Sequence, residues 1–151
     1  MIARAQVLLA LACTACLADL EPEVGAQLFN ACSGEDSDPS HDVAFEADIR
    51  IGIMARADVH CVKCHTPDGP MPIGVQIGGL DLTSYATLKR GGAHSAMTIV
   101  VPEDPCSSIL LQKLGPAPPF GDRMPKDGPP YLTAADAQLI VDWIAEGARD
   151  N

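Results

Sequence analysis

Two cysteines and a histidine are spaced for one specific covalent chemistry, in the stretch Cys61-Val62-Lys63-Cys64-His65. Thiols three residues apart on a helical turn can each add to one vinyl group of a haem, and the imidazole that follows can face the iron. Six Cys and four His placed at random in 151 residues would produce this pattern roughly 0.006 times. The pattern therefore indicates one covalently bound haem c, attached at Cys61 and Cys64, with His65 as the proximal ligand.

The same two cysteines could serve two other purposes, and the surrounding sequence supports neither of them. A thioredoxin-type redox dithiol is typical of a βαβ pattern, which does not surround Cys61. A structural zinc site needs a second ligand pair at regular spacing, whereas His41, His60 and His94 are scattered. Haem attachment is therefore the favoured interpretation.

The opposite axial position of a haem iron needs its own ligand, and a late methionine is the favoured candidate. Met124 lies in a proline-rich segment over 116–130, close to the end of the chain. Prolines lower the entropic cost of holding a thioether over the iron. Met97 and His94 are the alternative ligands, and an open site is the third alternative. If Met97 is not a ligand, we expect it to lie in the core, beside the apolar run that follows it.

The segment around the motif supplies the remaining methionines and a candidate partner for the imidazole. Met54 precedes the motif and is expected to pack in the first helix, and Met71 is expected on the proximal side. Three prolines follow His65 closely and rule out regular structure there. The carbonyl of Pro70 or Pro72 is the candidate acceptor for the His65 Nδ1–H, which would fix the tautomer.

The composition fits one small domain whose core is completed by a bound group. The 151 residues are 20% charged and only 4% aromatic, so their side chains supply a thin core. The formal net charge of −10 argues against nucleic acid and anionic membrane surfaces as partners. It favours redox partners with a basic docking surface, although solubility alone is the alternative explanation.

The first residues have the pattern of an export signal. Arg4 is followed by the apolar run Val7-Leu8-Leu9-Ala10-Leu11-Ala12, which is too short to span a bilayer. We therefore predict a signal peptide over 1–16, no transmembrane helix, and export to the periplasm or outer cell envelope. Small residues before a cysteine favour a lipoprotein tethered to the membrane through acylated Cys16, with Cys13 and plain secretion as alternatives.

The two remaining cysteines stand on either side of the haem motif. Cys32 lies in a polar, acidic stretch over 17–41, which we interpret as an extended tether pinned to the domain once, at this cysteine. Cys106 lies in the domain itself. In an exported protein such a pair predicts a disulfide, and two unrelated buried thiols are the alternative.

Hydrophobic spacing and capping residues predict short helices around the motif. Phe45, Ile49 and Ile53 fall on one helical face before it. Ser84 is the expected N-cap of a helix over 84–90 that stops at Gly91-Gly92.

Two more helices are predicted towards the end of the chain. One starts at Asp104-Pro105 and ends at Gly115. The last follows a capping box at Thr133 and runs to about Ala145, and its apolar face consists of Leu139, Ile140, Trp143 and Ile144. Residues 42–151 are thus expected to form an all-α domain wrapped around one haem, with long proline- and glycine-rich loops.

Several stretches together resemble class I monohaem cytochromes c, above all the cytochrome c-like domains of exported planctomycete and myxobacterial proteins. They are Cys61–His65, Gly79-Leu80-Asp81-Leu82-Thr83-Ser84-Tyr85, Gly91-Gly92, Asp104-Pro105-Cys106-Ser107-Ser108, Arg123-Met124-Pro125 and the stretch from Leu132 to Ala148. The resemblance spans residues 42–150. It implies electron transfer, covalent haem at Cys61 and Cys64, and axial ligation by His65 and Met124. The core family pattern lacks the Cys32–Cys106 pair.

Three functions are compatible with these residues. The favoured one is an electron carrier rather than an enzyme, with both axial positions filled. The second is a haem-based sensor or peroxidase-like enzyme, which needs an open or displaceable distal site, and His94 and Arg123 are its candidate polar groups. The third is a haem-bearing docking subunit of a larger redox complex.

Overall fold

The computed structural model describes residues 30–151, and all regular structure in that range is helical. A π-helix over Phe45–Met54 comes first, and a 3₁₀-helix over Ala96–Ile99 lies in the middle of the domain. The α-helices are α1 Cys61–Cys64, α2 Ile73–Gln76, α3 Tyr85–Arg90, α4 Ile109–Leu114 and α5 Ala134–Ala145. The predicted all-α class is confirmed for the described residues, which contain no strand.

The predicted signal peptide over 1–16, with its candidate acylation sites Cys13 and Cys16, lies outside the described residues. The same is true of residues 17–29 of the predicted tether. Among the helices that the structure describes, none is both long and apolar enough to cross a bilayer.

The helix before the haem motif buries the predicted face through a wider turn than we expected. Its three predicted apolar residues are at most 1% exposed: Phe45, Ile49 and Ile53. Hydrogen bonds reach the fifth residue back, as from Ala55 N to Arg50 O at 2.9 Å, so the segment is a π-helix. This turn also buries Met54, which packs in this helix as predicted.

The last helix, α5, forms the other half of the core and begins at a side-chain cap. Thr133 Oγ1 accepts the Asp136 N–H at 3.1 Å, so the predicted N-cap is confirmed. The predicted capping box is only half formed, because Asp136 Oδ2 accepts from the Thr133 hydroxyl and not from the Thr133 N–H. The helix packs against the π-helix. Three of the four residues predicted for its apolar face are at most 2% exposed, and Leu139 is partly buried. The chain leaves the helix through Gly147, whose φ is +100°.

Aromatic side chains join these two helices to α3. The Phe45 ring lies 5.3 Å from both the Tyr85 and the Trp143 ring, measured between centroids. The polar ends of the two larger rings are also satisfied, because Tyr85 donates to Ala148 O at 2.8 Å and Trp143 to Arg149 O at 3.0 Å. Three of the five aromatic residues that the structure describes therefore lie where these helices meet.

The bounds of α3 agree with the prediction. Ser84 Oγ accepts the Thr87 N–H at 3.2 Å and caps the helix. Gly91 ends it with a φ of +69°, and a Cβ there would lie 1.8 Å from Ala96 O. Only glycine fits this position, because the turn needs a left-handed backbone and close approach of a second backbone segment.

The predicted start of α4 is wrong by several residues, although its predicted end at Gly115 is confirmed. Asp104 accepts the Ser107 N–H at 3.0 Å and closes a turn, not a helix. Ser108 is buried and its Oγ donates to Asp104 O at 2.9 Å, which completes this turn. The helix begins only afterwards, because local side-chain bonds of Ser and Asp compete with helical ones.

The described part of the predicted tether is held along the domain at several points. A disulfide joins Cys32 to Cys106. The Asn30 amide donates to Ala117 O at 2.8 Å, and Ser37 Oγ donates to Asp142 Oδ2 at 2.6 Å. Residues 30–41 therefore have more attachments than the one we predicted.

Candidate functional site

The haem motif forms a single helical turn that presents both thiols and the imidazole together. His60 enters α1 with a left-handed φ of 63°, and the His65 N–H closes the turn on Cys61 O at 3.0 Å. Cys61 and Cys64 are free, half-buried thiols. Burial raises the pKa of the Cys61 thiol to about 11. A redox dithiol needs the opposite shift, so this environment supports attachment of a group rather than thiol–disulfide exchange.

The His65 ring is oriented by the backbone. Its Nδ1 lies 3.1 Å from Leu80 O, which places the proton on Nδ1 and leaves Nε2 with its lone pair. Burial lowers the pKa of His65, against the opposing effect of this hydrogen bond. The imidazole is therefore neutral, with one nitrogen ready to bind a metal.

The predicted acceptor for this imidazole was wrong. Neither Pro70 nor Pro72 accepts the Nδ1–H, and Leu80 does. The Pro72 carbonyl is occupied at the start of α2, where it accepts the N–H groups of Val75 at 3.1 Å and Gln76 at 2.9 Å. A backbone acceptor fifteen residues away leaves no mark in the residue types, so the sequence offered no signal for it.

A glycine lets the backbone of α2 lie against the imidazole. A Cβ at Gly74 would lie 2.4 Å from His65 Nδ1 and 2.8 Å from Cys64 O. Gly74 O also accepts the Leu80 N–H at 3.2 Å, which fixes the segment that holds the ring. The motif pattern did not identify Gly74, because nothing in the sequence distinguishes this glycine from the glycines of the turns.

The motif faces a cavity of about 330 Å³, a volume within the usual range for ligand sites. Cys61, Cys64 and His65 lie on its wall with Met124. Its apolar lining includes Ile73, Ile77, Leu80, Leu82, Ile99, Leu110, Leu114 and Phe120. A larger cavity of about 600 Å³ lies beside the Cys32–Cys106 disulfide, and none of the haem-motif residues lines it.

These residues fit a covalently attached haem. The donor set consists of two free thiols and a neutral imidazole on one wall of a mostly apolar cavity. The backbone of α2 lies directly against the imidazole at Gly74, where a side chain would clash with the ring. The chemistry of this donor set is the one that the motif requires.

The candidate distal ligands occupy very different places. Met124 and His94 line the cavity, whereas Met97 does not line it and is 81% exposed. The alternative role that we gave Met97, a place in the core, is therefore wrong. Met71 is 44% exposed, and its N–H donates to Lys63 O next to the proximal side. The distal role of Met124 stays a prediction, with a favourable location.

Arg123, the other predicted polar group for a distal site, points elsewhere. Its Nε donates to Leu114 O at 2.7 Å, and its guanidinium stacks over the Tyr131 ring at 3.8 Å. It lines the cavity beside the disulfide and not the one at the motif. A direct contact between Arg123 and a distal ligand is not part of this arrangement.

Charges beside the cavity are paired across its rim. Asp122 lies 2.6 Å from Lys126, and Asp127 lies 2.8 Å from Lys63. Lys63 holds the pKa of Asp127 below its usual value. The Asp127 pair ties the loop after Met124 to α1. The acid excess behind the net charge of −10 therefore comes from residues elsewhere on the chain.

Comparison with known protein families gives one match. Residues 61–128, a little under half of the chain, match the model of the family described as Planctomycete cytochrome C. The matched segment begins at the haem motif and extends past Met124, so it includes the residues that line the cavity wall. No curated protein and no solved structure matches the chain. The match supports a cytochrome c-like family for this protein.

Proposed function

We propose that this protein is an exported monohaem cytochrome c of the class I type, which transfers single electrons between redox partners. The convergence of Cys61, Cys64, His65 and Met124 on one apolar cavity carries the proposal. The family match over residues 61–128 supports it independently of that geometry. A bound haem c supplies a one-electron Fe(II)/Fe(III) couple.

The four residues have distinct roles in this proposal. Cys61 and Cys64 would hold the group covalently through their sulfurs. His65 would be the proximal ligand through Nε2, because Nδ1 is engaged by Leu80 O. Met124 would be the distal ligand through its sulfur, and a thioether favours Fe(II) and raises the reduction potential relative to a nitrogen ligand.

The surroundings of these residues suit electron transfer rather than turnover of a substrate. The lining of the cavity is mostly apolar, and the paired charges at its rim leave no unpaired carboxylate or ammonium among Asp122, Lys126, Asp127 and Lys63. With His65 and Met124 both bound to the iron, a substrate would find no vacant site on it. We therefore propose an electron-transfer protein and not an enzyme.

The partner and the location are part of the same proposal. The net charge of −10 supports a redox partner with a basic docking surface, which its field would attract. The leader pattern supports export to the periplasm or outer envelope, with Cys16, or alternatively Cys13, as the lipid anchor. Loss of membrane association in Cys16→Ser, with Cys13→Ser unaffected, would support this anchor.

A displaceable distal site, and with it a sensor or peroxidase-like function, is the second candidate. It is favoured by His94, whose imidazole lines the same cavity and packs on Phe120 at 5.2 Å between centroids. The orientation of Arg123 towards Tyr131 and Leu114 weakens it, because the second polar group that the sequence suggested does not line this cavity.

One experiment separates the two candidates. The full chain is produced with a haem-maturation system, and its haem should stay attached through denaturation and acid–organic extraction. The reduced protein should then bind carbon monoxide poorly, because Met124 occupies the distal site. Freely extracted haem would contradict the attachment at Cys61 and Cys64. Ready carbon monoxide binding would favour the sensor or peroxidase-like function instead.

A further inference from the structure

The segment that carries Met124 depends on a single residue for its backbone hydrogen bonds. We call residues 120–124 the Met124 loop. Lys113 O accepts the Met124 N–H at 2.8 Å, and Lys113 Nζ donates to Phe120 O and Asp122 O at 2.5 Å each. Among the described residues, no other residue hydrogen-bonds to the backbone of this loop.

Lysine is well suited to this position. Its ammonium is a compact charge with three donors, so it can bind two carbonyl oxygens that do not face one another. Nζ also lies 4.8 Å from the centroid of the Phe120 ring, within the range of a cation–π contact. The carboxylate of Asp122 does not compete for it, because Lys126 pairs with that group at 2.6 Å.

Apart from Lys113, the loop has one other hydrogen bond to α4 among the described residues, from Arg123 Nε to Leu114 O at 2.7 Å. It forms no helix, and Gly121 at its centre has a φ of +54°. Prolines at 116, 118, 119 and 125 stiffen the chain on either side of it without bonding it to α4. The side chain of Lys113 spans this gap from the last turn of α4, and it also lines the cavity.

We propose that Lys113 is a positioning residue, which holds the Met124 loop over the cavity and thereby sets how readily Met124 leaves the iron. This inference rests on the proposed distal role of Met124. An exogenous ligand can bind only when the loop moves away, so its apparent affinity reports the cost of that movement. Weakening the hold of Lys113 should make the movement easier and the exogenous ligand bind more tightly.

The test measures imidazole binding to the oxidised, haem-loaded full chain. Lys113→Met keeps the aliphatic stem and removes the ammonium, and we expect imidazole affinity to rise about tenfold. Lys113→Arg keeps the charge but replaces the compact ammonium by a planar guanidinium, so its imidazole affinity should lie between those of the wild type and Lys113→Met. Lys89→Met is the matched control, because Lys89 is also half-buried and donates to one backbone carbonyl, Val100 O at 3.1 Å, away from the loop.

A double variant decides whether Lys113 acts through Met124. In the Met124→Ala background, Lys113→Met should leave imidazole affinity unchanged, because no thioether remains to be displaced. An equal increase in both backgrounds would overturn the proposal, since Lys113 would then act on the cavity directly. Equal affinities for Lys113→Met, Lys89→Met and the wild type would overturn it as well.

A wrong assignment of Met124 as the distal ligand would give a different set of results. If Met124→Ala alone has the absorption spectrum and imidazole affinity of the wild type, Met124 is not the ligand and the positioning role falls with it. If Met124→Ala changes both and Lys113→Met changes neither, the ligand assignment stands and only the role of Lys113 is wrong.

Discussion

The two walls of the cavity are built in different ways. On the proximal wall, the backbone holds His65: Leu80 O binds its Nδ1, and Gly74 lies directly against the ring. On the distal wall, the side chain of Lys113 and its carbonyl hold an irregular loop that carries Met124. Both sets of contacts are short in sequence, at most fifteen residues apart, but the proximal ones lie within the backbone around α2 and the distal ones join α4 to a proline-rich segment.

This difference fits the proposed function, in which one ligand of the iron is held rigidly and the other can be adjusted. A ligand fixed by backbone contacts has few ways to move, because any displacement would break hydrogen bonds of α2 and of the segment after it. The proposed distal ligand, Met124, lies on a loop that is held mainly by side chains, those of Lys113 and Arg123, so single substitutions can adjust it. We therefore expect substitutions on the proximal wall to abolish the site and substitutions on the distal wall to adjust it.

The largest effect on the haem site is expected from Gly74→Ala on the proximal wall. The new Cβ would lie 2.4 Å from His65 Nδ1 and 2.8 Å from Cys64 O, so the ring or the backbone must move. We expect a loss of at least about 3 kcal/mol in the free energy of unfolding. The visible spectrum of the haem-loaded protein should also lose the signature of His65 ligation.

Gly147→Ala is the control for this prediction. Gly147 has a φ of +100°, and a Cβ there meets nothing within 4 Å, so alanine strains the backbone without a clash. It should lower stability by about 1 kcal/mol and leave the haem spectrum unchanged. A normal spectrum in Gly74→Ala would show that the proximal wall is less rigid than we infer.

The next effect in size concerns the distal wall and its two methionines. Met124→Ala should open the sixth position to imidazole and abolish the methionine-to-iron absorption band. Met124→His should keep a six-coordinate iron and lower the reduction potential. Met97→Ala is the control, because this side chain is 81% exposed and outside the cavity. Loss of the band in Met97→Ala, with Met124→Ala normal, would assign the ligand to Met97.

Removal of the disulfide should affect the haem site less, because Cys32 and Cys106 line the neighbouring cavity. Cys32 and Cys106 are 74 residues apart in sequence, so their cross-link should stabilise the fold by roughly 4 kcal/mol in the chain-entropy model. Cys32→Ser/Cys106→Ser should lower the denaturation midpoint by a corresponding amount. The visible spectrum should not change, since the disulfide is absent from the cavity lining. A changed spectrum would show that the distal wall depends on the disulfide.

The sequence predicted the parts of the site that depend on residue type and spacing. The thiols, the imidazole and a late methionine were identified from their chemistry, and the structure places all four on one cavity. The caps of α3 and α5 were also correct, because Ser84 and Thr133 bond within four residues of themselves. Local rules work where the partners are close in sequence.

The sequence did not predict the contacts that position these groups. Leu80 contributes only its carbonyl oxygen, which every residue has, and Lys113 acts on a loop whose path no pattern revealed. The π-helix was missed for a similar reason, since its buried residues also fit an α-helical period. Positioning here depends on tertiary geometry, so residue types alone could not reveal it.

The smallest effect is expected from an ion pair between the segment before α1 and the start of α5. Arg56, shortly before α1, binds Asp136, in the first turn of α5, through two bonds of 2.6 and 2.9 Å. The Arg56 hydrogen bonds hold the pKa of Asp136 below its usual value. The pair therefore contributes stability above the unfolded-chain pKa, near pH 4, and this contribution is lost as the pH falls through the lower folded pKa.

Asp136→Asn tests the contribution of the Arg56–Asp136 ion pair, which is measured by thermal unfolding of the haem-loaded protein. The variant keeps a side chain of the same size at the cap but loses the charge. We expect Tm to fall by roughly 3 °C at neutral pH, and the difference from the wild type should shrink as the pH drops below 4. Asp58→Asn is the control, because Asp58 also pairs with Arg56 but is 66% exposed, so its charge is well screened. A Tm difference that stays constant down to pH 2 would mean that packing at the cap, and not the carboxylate charge, is what Asp136 contributes.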